Sequence, residues 1–183
     1  AGLSDASRAA LSAAEIIFGG PRHLALVDAG DRGQAWPVPF SIAPVLACKG
    51  RKVAILASGD PFWHGAGGSI AAHLTQGEWQ TFAAPSVFSQ TAAHLGWRIE
   101  DTTCIGLHAA HLARLLPQLT HDARLICTLR DGPAVTQLAE WLTDRGFGAS
   151  ALTLLESLGG PDQRIRQATA ATFALEASAP VAV

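Results

Sequence analysis

The stretch ILASGDPFWHGAGGSIAAHL, residues 55–74, decides how the chain is read. An apolar run ends at Ser58, a Gly-Asp-Pro turn follows, and Gly65, Gly67 and Gly68 precede a helix-like segment. A strand that passes through a glycine-rich loop into a helix has the general form of a nucleotide loop, so the spacing must discriminate. In a dinucleotide fingerprint the glycines cluster at the strand end, and an acidic residue about 20 positions further on meets the ribose. Here Gly59 satisfies the first condition, but the other glycines follow only after DPFWH, and the next apolar segment, WQTFAAPS (79–86), ends without Asp or Glu. A phosphate loop needs Gly-Lys-Ser/Thr, and no lysine follows Lys52. What the stretch retains is a carboxylate, Asp60, delivered at a strand end, with Pro61 fixing the turn and glycines that let backbone approach a ligand. A carboxylate there suits hydroxyls and cationic or amine-bearing ligands and repels phosphate. Spacing alone gives equal standing to Asp60 as the cap of a turn.

Outward from this loop, strands and helices alternate. A helix opens at Ser4 in SDASRAALSAAE, and IIFGG closes the first unit as a strand. HLALV, KVAILAS and WQTFAAPS read as further strands, with a short helix in the Pro-rich segment 36–47 and another helix over 67–75. The second half continues with VFSQTAAHLGW as helix, TTCIGLH as strand, AAHLARLLPQL as helix and RLICTLR as strand. AVTQLAEWLTDRGF then reads as helix, ASALTLLES as strand and PDQRIRQATAATFA as helix. Strands apolar on both faces predict mostly parallel sheets flanked by helices, an α/β fold. A boundary near AAPS (83–86) divides it into an N-terminal lobe, 1–84, and a C-terminal lobe, 85–183, with a ligand cleft expected between them.

Composition narrows the partners. The chain has 183 residues, 49% of them hydrophobic, and a formal net charge of -2, which gives no general attraction to nucleic acid. No apolar run reaches the roughly 18 residues of a membrane span, and the N-terminus lacks the pattern of a signal peptide, so a cytoplasmic location is expected. Cys48, Cys104 and Cys127 are too far apart for a paired metal motif and read as buried thiols; His108 and His111 have no third ligand at metal-site spacing, so no metal is expected. The chain contains no methionine, as expected of a processed chain or a fragment.

ASGDPFWHGAGGSIAAHL resembles the Gly-Asp-Pro loop of the tetrapyrrole methylases, a two-lobed family that methylates corrin and porphyrin precursors with S-adenosylmethionine. FGGPRHLAL, APSVFSQTAAHLGW, IGLHAAHLARL, ICTLRDGPAVTQLAEWLTDRGF and LESLGGPDQRIRQATA extend the resemblance over nearly the whole chain. Within the family the sequence is most similar to members that methylate precorrin-7 at C5 in cobalamin biosynthesis, including bifunctional members with a C15-methylating, decarboxylating domain. The resemblance implies the two-lobed methylase fold, a precorrin substrate, a homodimer, and S-adenosylmethionine with S-adenosylhomocysteine as product. It places Gly59, Asp60, Trp63, Phe88, Ser89, Thr128, Leu129, Leu158 and Gly159 around the cofactor, largely through main-chain contacts. The family pattern also puts a first strand and a glycine-rich loop ahead of the helix with which this sequence opens, and LRDG stands where LTDG is commoner.

Precorrins carry several carboxylates, for which arginines are the natural clamps. Arg22, exposed by the Gly19-Gly20-Pro21 turn, is the first candidate; Arg130 and His108 are further substrate-binding candidates. Methyl transfer from a sulfonium is an in-line displacement in which the protein mainly positions the reactants, so no Ser, Cys or Lys nucleophile is expected. No general base is identified, although His64 and His108 occupy loop and strand-end positions where an imidazole titrates near neutrality. Two alternatives stay open: methylation of another tetrapyrrole, and a non-catalytic binding or assembly module.

Overall fold

The computed structural model describes residues 2–63 and 65–183, and the chain divides into two compact units, Ala1–Ser86 and Val87–Val183. In the first unit, α1 (Asp5–Ala13) is started by Ser4, whose hydroxyl accepts the Ser7 N–H at 3.1 Å. Strand β1 (Ile16–Gly19) is buried throughout and runs parallel to β2 (Gly33–Ala35) on one side and β3 (Val53–Ile55) on the other. Period-2 alternation gives β1 two apolar faces. Ile16 and Phe18 pack with Val45 of α3 (Ala43–Leu46) and Ile70 of α4 (Gly67–Ala71), whereas Ile17 packs with Ala14 and Ala29.

Two segments of this unit depart from the sequence expectation. HLALV is helical, as part of α2 (Pro21–Leu26): Pro21 has the fixed φ suited to a first helical turn, and Leu26, 68% exposed, is no core strand residue. Among the described residues, WQTFAAPS pairs with no strand. The Ala84 N–H donates instead to the Gly59 carbonyl at 3.3 Å, tying the segment to the loop quoted above.

The second unit holds a five-stranded sheet in the order β4 (Thr103–Gly106), β5 (Leu125–Leu129), β8 (Val181–Ala182), β6 (Ala151–Glu156), β7 (Arg164–Thr169). Only β4–β5 is parallel; the other three pairings are antiparallel, so the parallel expectation holds for the first sheet and one edge of the second. β5 is buried on both faces. Val135, Leu138, Ala139 and Leu142 of α6 (Gly132–Leu142) form a helical stripe packed with Cys127, Leu129, Leu152 and Leu154, while Phe88 and Ala92 of α5 (Val87–Leu95) pack with Ile126. Burial pushes the Cys127 thiol up to about 12, an inert core thiol. AAHLARLLPQL forms a 3-10 helix over Leu112–Gln118, with Pro117 near its end.

PDQRIRQATAATFA is a strand, β7, followed by a turn, where composition predicts a helix. The reason lies in Glu156, 2% exposed at the end of β6. Arg164 donates to it through Nε (2.9 Å) and Nη2 (2.6 Å), Arg166 through Nη2 (2.8 Å), and the Ser178 N–H at 2.8 Å. Residues i and i+2 share a face of a strand but diverge on a helix, so two arginines so spaced reach one carboxylate only from a strand. The Arg164 hydrogen bonds, with those of Ser178 and Arg166, hold the Glu156 carboxyl down at about 2 against the desolvation that opposes them.

Glu156→Gln is therefore expected to destabilise the fold by about 2 kcal/mol at pH 7, a value that allows for the partial exposure of both arginines. Because the folded-state pKa is depressed, this stabilisation is complete above about 4.5 and is lost as pH falls toward about 2. Urea unfolding at pH 7 and pH 2.5 should thus show the gap between wild type and variant closing in acid; an equal gap at both would refute the assignment.

Candidate functional site

In the first unit the carboxyl ends of β1 and β3 lie side by side, with Phe18 in register with Ile55, and two loops leave from this edge. The loop after β3 carries Gly59 at φ +67°, where a Cβ would stand 2.6 Å from Ser86 Cα. A Cβ on Gly65 or Gly67 would meet the Pro61 carbonyl oxygen at 2.4 or 2.7 Å. At these three positions the close approach that requires glycine is made by the chain's own backbone, which corrects the expectation that the glycines make room for a ligand. Asp60 Oδ1 accepts the Phe62 N–H at 2.8 Å, and the Trp63 N–H donates to the Asp60 carbonyl at 3.2 Å. Asp60 is thus the cap of its turn, and that turn presents Phe62 and Trp63, 47% and 38% exposed. Phe62 pairs with Trp79, ring centroids 5.4 Å apart. His64 lies outside the described residues.

The loop after β1 leads into α2 and carries Arg22, which is exposed and forms no hydrogen bond or ion pair among the described residues. Next to it stands a residue that sequence reasoning missed. His23 Nε2 lies 2.8 Å from Ser58 Oγ, a contact from the first turn of α2 to the loop after β3. Burial, and then the charge of Arg22, lower the His23 pKa from its ordinary value, favouring the neutral ring. The signal was present in GGPRHL, where Pro after two glycines marks a helix start; read as a strand, that segment hides the pairing.

In the second unit the carboxyl ends of β4 and β5 open into a cleft of about 220 Å³. His108, Leu129 and Arg130 of the candidate set line it, with His111 and Gln137. Arg130 Nε donates to Asp131 Oδ2 at 2.8 Å, while Asp131 Oδ1 accepts the Ala134 N–H at 2.9 Å and caps α6. The Arg130 hydrogen bond and then the Ala134 N–H keep the Asp131 carboxyl below its ordinary range, so the carboxylate is ionised and orients the guanidinium. His108 Nδ1 lies 3.4 Å from Thr128 Oγ1. Phe88 and Leu129 are core side chains, 3% and 1% exposed; Thr128 is buried and Ser89 half-buried. Leu158 and Gly159 sit apart from this cleft, in the turn between β6 and β7, where Gly159 has φ +76° and its N–H donates to Gln163 Oε1 at 2.8 Å.

A parallel-stranded unit and a mixed-sheet unit, each with loops gathered at strand ends, define a class of α/β proteins whose ligand residues come from loops. The pattern of the Tetrapyrrole (Corrin/Porphyrin) Methylases matches residues 2–174, and the chain belongs to that family. It is 38% identical over 179 residues to a precorrin-6Y C(5,15)-methyltransferase [decarboxylating] from Sinorhizobium sp, covering 96% of this chain and 43% of that protein. It is 25% identical over 169 residues to the cobalt-precorrin-7 C(5)-methyltransferase of Salmonella typhimurium, covering 89% and 82%. The fold is that of the crystallised precorrin-6Y methylase from Archaeoglobus fulgidus, with a TM-score of 0.68 at 22% identity over 98% of this chain and 88% of that one. The chain thus spans less than half the length of the Sinorhizobium relative.

Two alanine substitutions test the geometry of the opening loop. Gly59→Ala adds both a strained φ and a backbone clash and should cost about 1–3 kcal/mol. Gly68→Ala, inside α4 with open space around it, should stabilise by about 0.5–1 kcal/mol. Thermal melts of both variants check this; a Gly59 variant as stable as wild type would contradict the close approach of Ser86.

Proposed function

We propose that the chain transfers a methyl group from S-adenosylmethionine to C5 of precorrin-7 in cobalamin biosynthesis, releasing S-adenosylhomocysteine. The observation that carries this reading is the 38% identity, over 96% of the chain, to a relative named for C5 and C15 methylation. That name also supports a C15-methylating, decarboxylating domain as a companion on the full-length protein. Homodimerisation and a cytoplasmic location belong to the same reading and rest on the family resemblance; among the described residues no helix is long and apolar enough to cross a membrane.

The residues present suit the proposed ligands. A sulfonium and an ammonium group are cationic, and the first unit offers exposed aromatic faces, Phe62 and Trp63, on a turn held by a carboxylate. Gly59 and Gly159 each adopt a positive φ at a loop turn, the kind of backbone position at which glycine is required. Asp60, Ser89, Thr128 and Leu158, with the backbone of Phe88 and Leu129, complete the proposed cofactor set. S-adenosylmethionine supplies the electrophilic methyl group; the chain's own residues bind, orient and exclude water.

The acceptor's carboxylates call for donors. Arg130 has its Nε engaged by Asp131, and its two Nη groups are left to form a bidentate pair with an acetate or propionate, with His108 beside it in the cleft. Arg22, exposed at the other sheet edge, is the second proposed clamp. No catalytic acid or base follows from these contacts alone.

Arg130→Ala should raise the KM for precorrin-7 about tenfold, the loss of one charge-assisted contact, and leave the affinity for S-adenosylhomocysteine unchanged. Calorimetric titration with S-adenosylhomocysteine, with NADH as control, followed by methyl-transfer assays, measures both. A wild-type chain that binds S-adenosylhomocysteine yet methylates a different tetrapyrrole would replace the acceptor assignment; binding without any transfer would support a non-catalytic module.

A further inference from the structure

We propose that His23 accepts, through the Ser58 hydroxyl, the proton released when the acceptor carbon is methylated. The inference rests on the methyl-transfer reading above and adds the group that balances the reaction. When a ring carbon bearing hydrogen gains a methyl group, the donor's S–C bond breaks with its electron pair kept by sulfur. The ring carbon must then lose its proton, and the C–H electron pair returns to the conjugated system. In this scheme that proton passes to Ser58 Oγ as the Ser58 hydroxyl proton passes to His23 Nε2, leaving an imidazolium and a neutral thioether.

Three observations carry the assignment. First, His23 Nε2 and Ser58 Oγ are 2.8 Å apart although 35 residues separate them, a distance suited to direct proton transfer. Second, the pair stands where β1 and β3 end side by side, and Ser58, exposed, immediately precedes Gly59 and Asp60 of the proposed cofactor loop. Third, the start of α2 lies close to the end of β3: a Cβ on Gly19 would stand 3.1 Å from Leu56 Cβ and 3.4 Å from His23 Cβ.

The surroundings keep the ring ready to take a proton. Burial lowers its pKa and Arg22 on α2 lowers it further, while the β1 and β3 sides present Gly19, Leu56 and Ser58, which carry no charge. Asp60, two residues beyond Ser58, is the nearest acidic residue in the sequence of that loop, and its Oδ1 is occupied by the Phe62 N–H. A ring held below its ordinary 6.5 is neutral at pH 7 and becomes unreactive as a base in acid.

The test compares wild type, His23→Gln and Ser58→Ala by three readouts: NMR titration of the imidazoles, calorimetric affinity for S-adenosylhomocysteine, and single-turnover methylation of precorrin-7 from pH 5 to 8. The scale of general-base catalysis sets the expected loss at about 100-fold for His23→Gln at pH 7. In the wild type the rate should fall about tenfold per pH unit below the pKa that NMR assigns to His23, and this acid limb should be absent in His23→Gln. Ser58→Ala should shift the His23 titration and slow transfer, while both variants bind S-adenosylhomocysteine as wild type does. Transfer by His23→Gln at the wild-type rate with its acid limb intact would overturn the proposal. So would a loss confined to S-adenosylhomocysteine affinity, which would make the pair a brace for the loop. Ser58→Ala, an exposed substitution, decides the matter if His23→Gln does not fold. A wild-type chain that binds S-adenosylhomocysteine and transfers no methyl group refutes the methyl-transfer reading, and this inference with it.

Discussion

The second unit depends on a single buried carboxylate. Glu156 ends β6, draws Arg164 and Arg166 of β7 onto one face, and accepts the Ser178 N–H just before the chain enters β8. Three segments distant in sequence are thereby fixed to one point. Between Glu156 and Arg164 lies the turn that carries Leu158 and Gly159, so the two ends of that candidate loop are held by the same ion pair. A buried charge is costly unless every oxygen is engaged. Here both oxygens are, and the local fold has one arrangement that satisfies them.

The first unit is governed by close backbone approach. Gly59, Gly65 and Gly67 sit where any side chain would collide with Ser86 or Pro61, and the loop is compact because those positions lack a Cβ. This recasts the glycines that first drew attention. They mould a loop that presents Phe62 and Trp63, and the Asp60 carboxylate is part of the mould. On the proposed reading, a cationic ligand would meet the exposed parts of these aromatic rings beside a turn held by a carboxylate.

Much of this was legible in the sequence, and the failures have physical causes. Buried elements with clear periodicity, such as β1, β5 and α6, were readable because their apolar pattern is their packing. PDQRIRQATAATFA was misread because arginine, glutamine and alanine are helix formers, whereas the deciding partner, Glu156, is eight residues from Arg164 in sequence. β8 has only two residues, too few for any pattern. The cleft residues His108, Leu129 and Arg130 were chosen from motif position and do share one cleft, but nothing in the sequence disclosed that Asp131 both caps α6 and orients Arg130.

The histidines show most clearly what contact geometry adds. Position along the chain favoured His64 and His108, which stand in a loop and at a strand end, over His23, which stood inside a supposed strand. The structure gives each described ring a different character. His108 Nδ1 lies 3.4 Å from the Thr128 hydroxyl, and His23 Nε2 lies 2.8 Å from that of Ser58. Proton transfer falls off steeply with distance, and a base must also be unprotonated at working pH. His23 has the shorter contact, and burial and then the charge of Arg22 both favour its neutral form. The arginine proposed as a carboxylate clamp thus adds to burial in favouring the neutral form of its neighbour. If both proposals hold, the GGPRHL turn sets the proposed acceptor clamp and the proposed base in consecutive residues at the carboxyl end of one sheet.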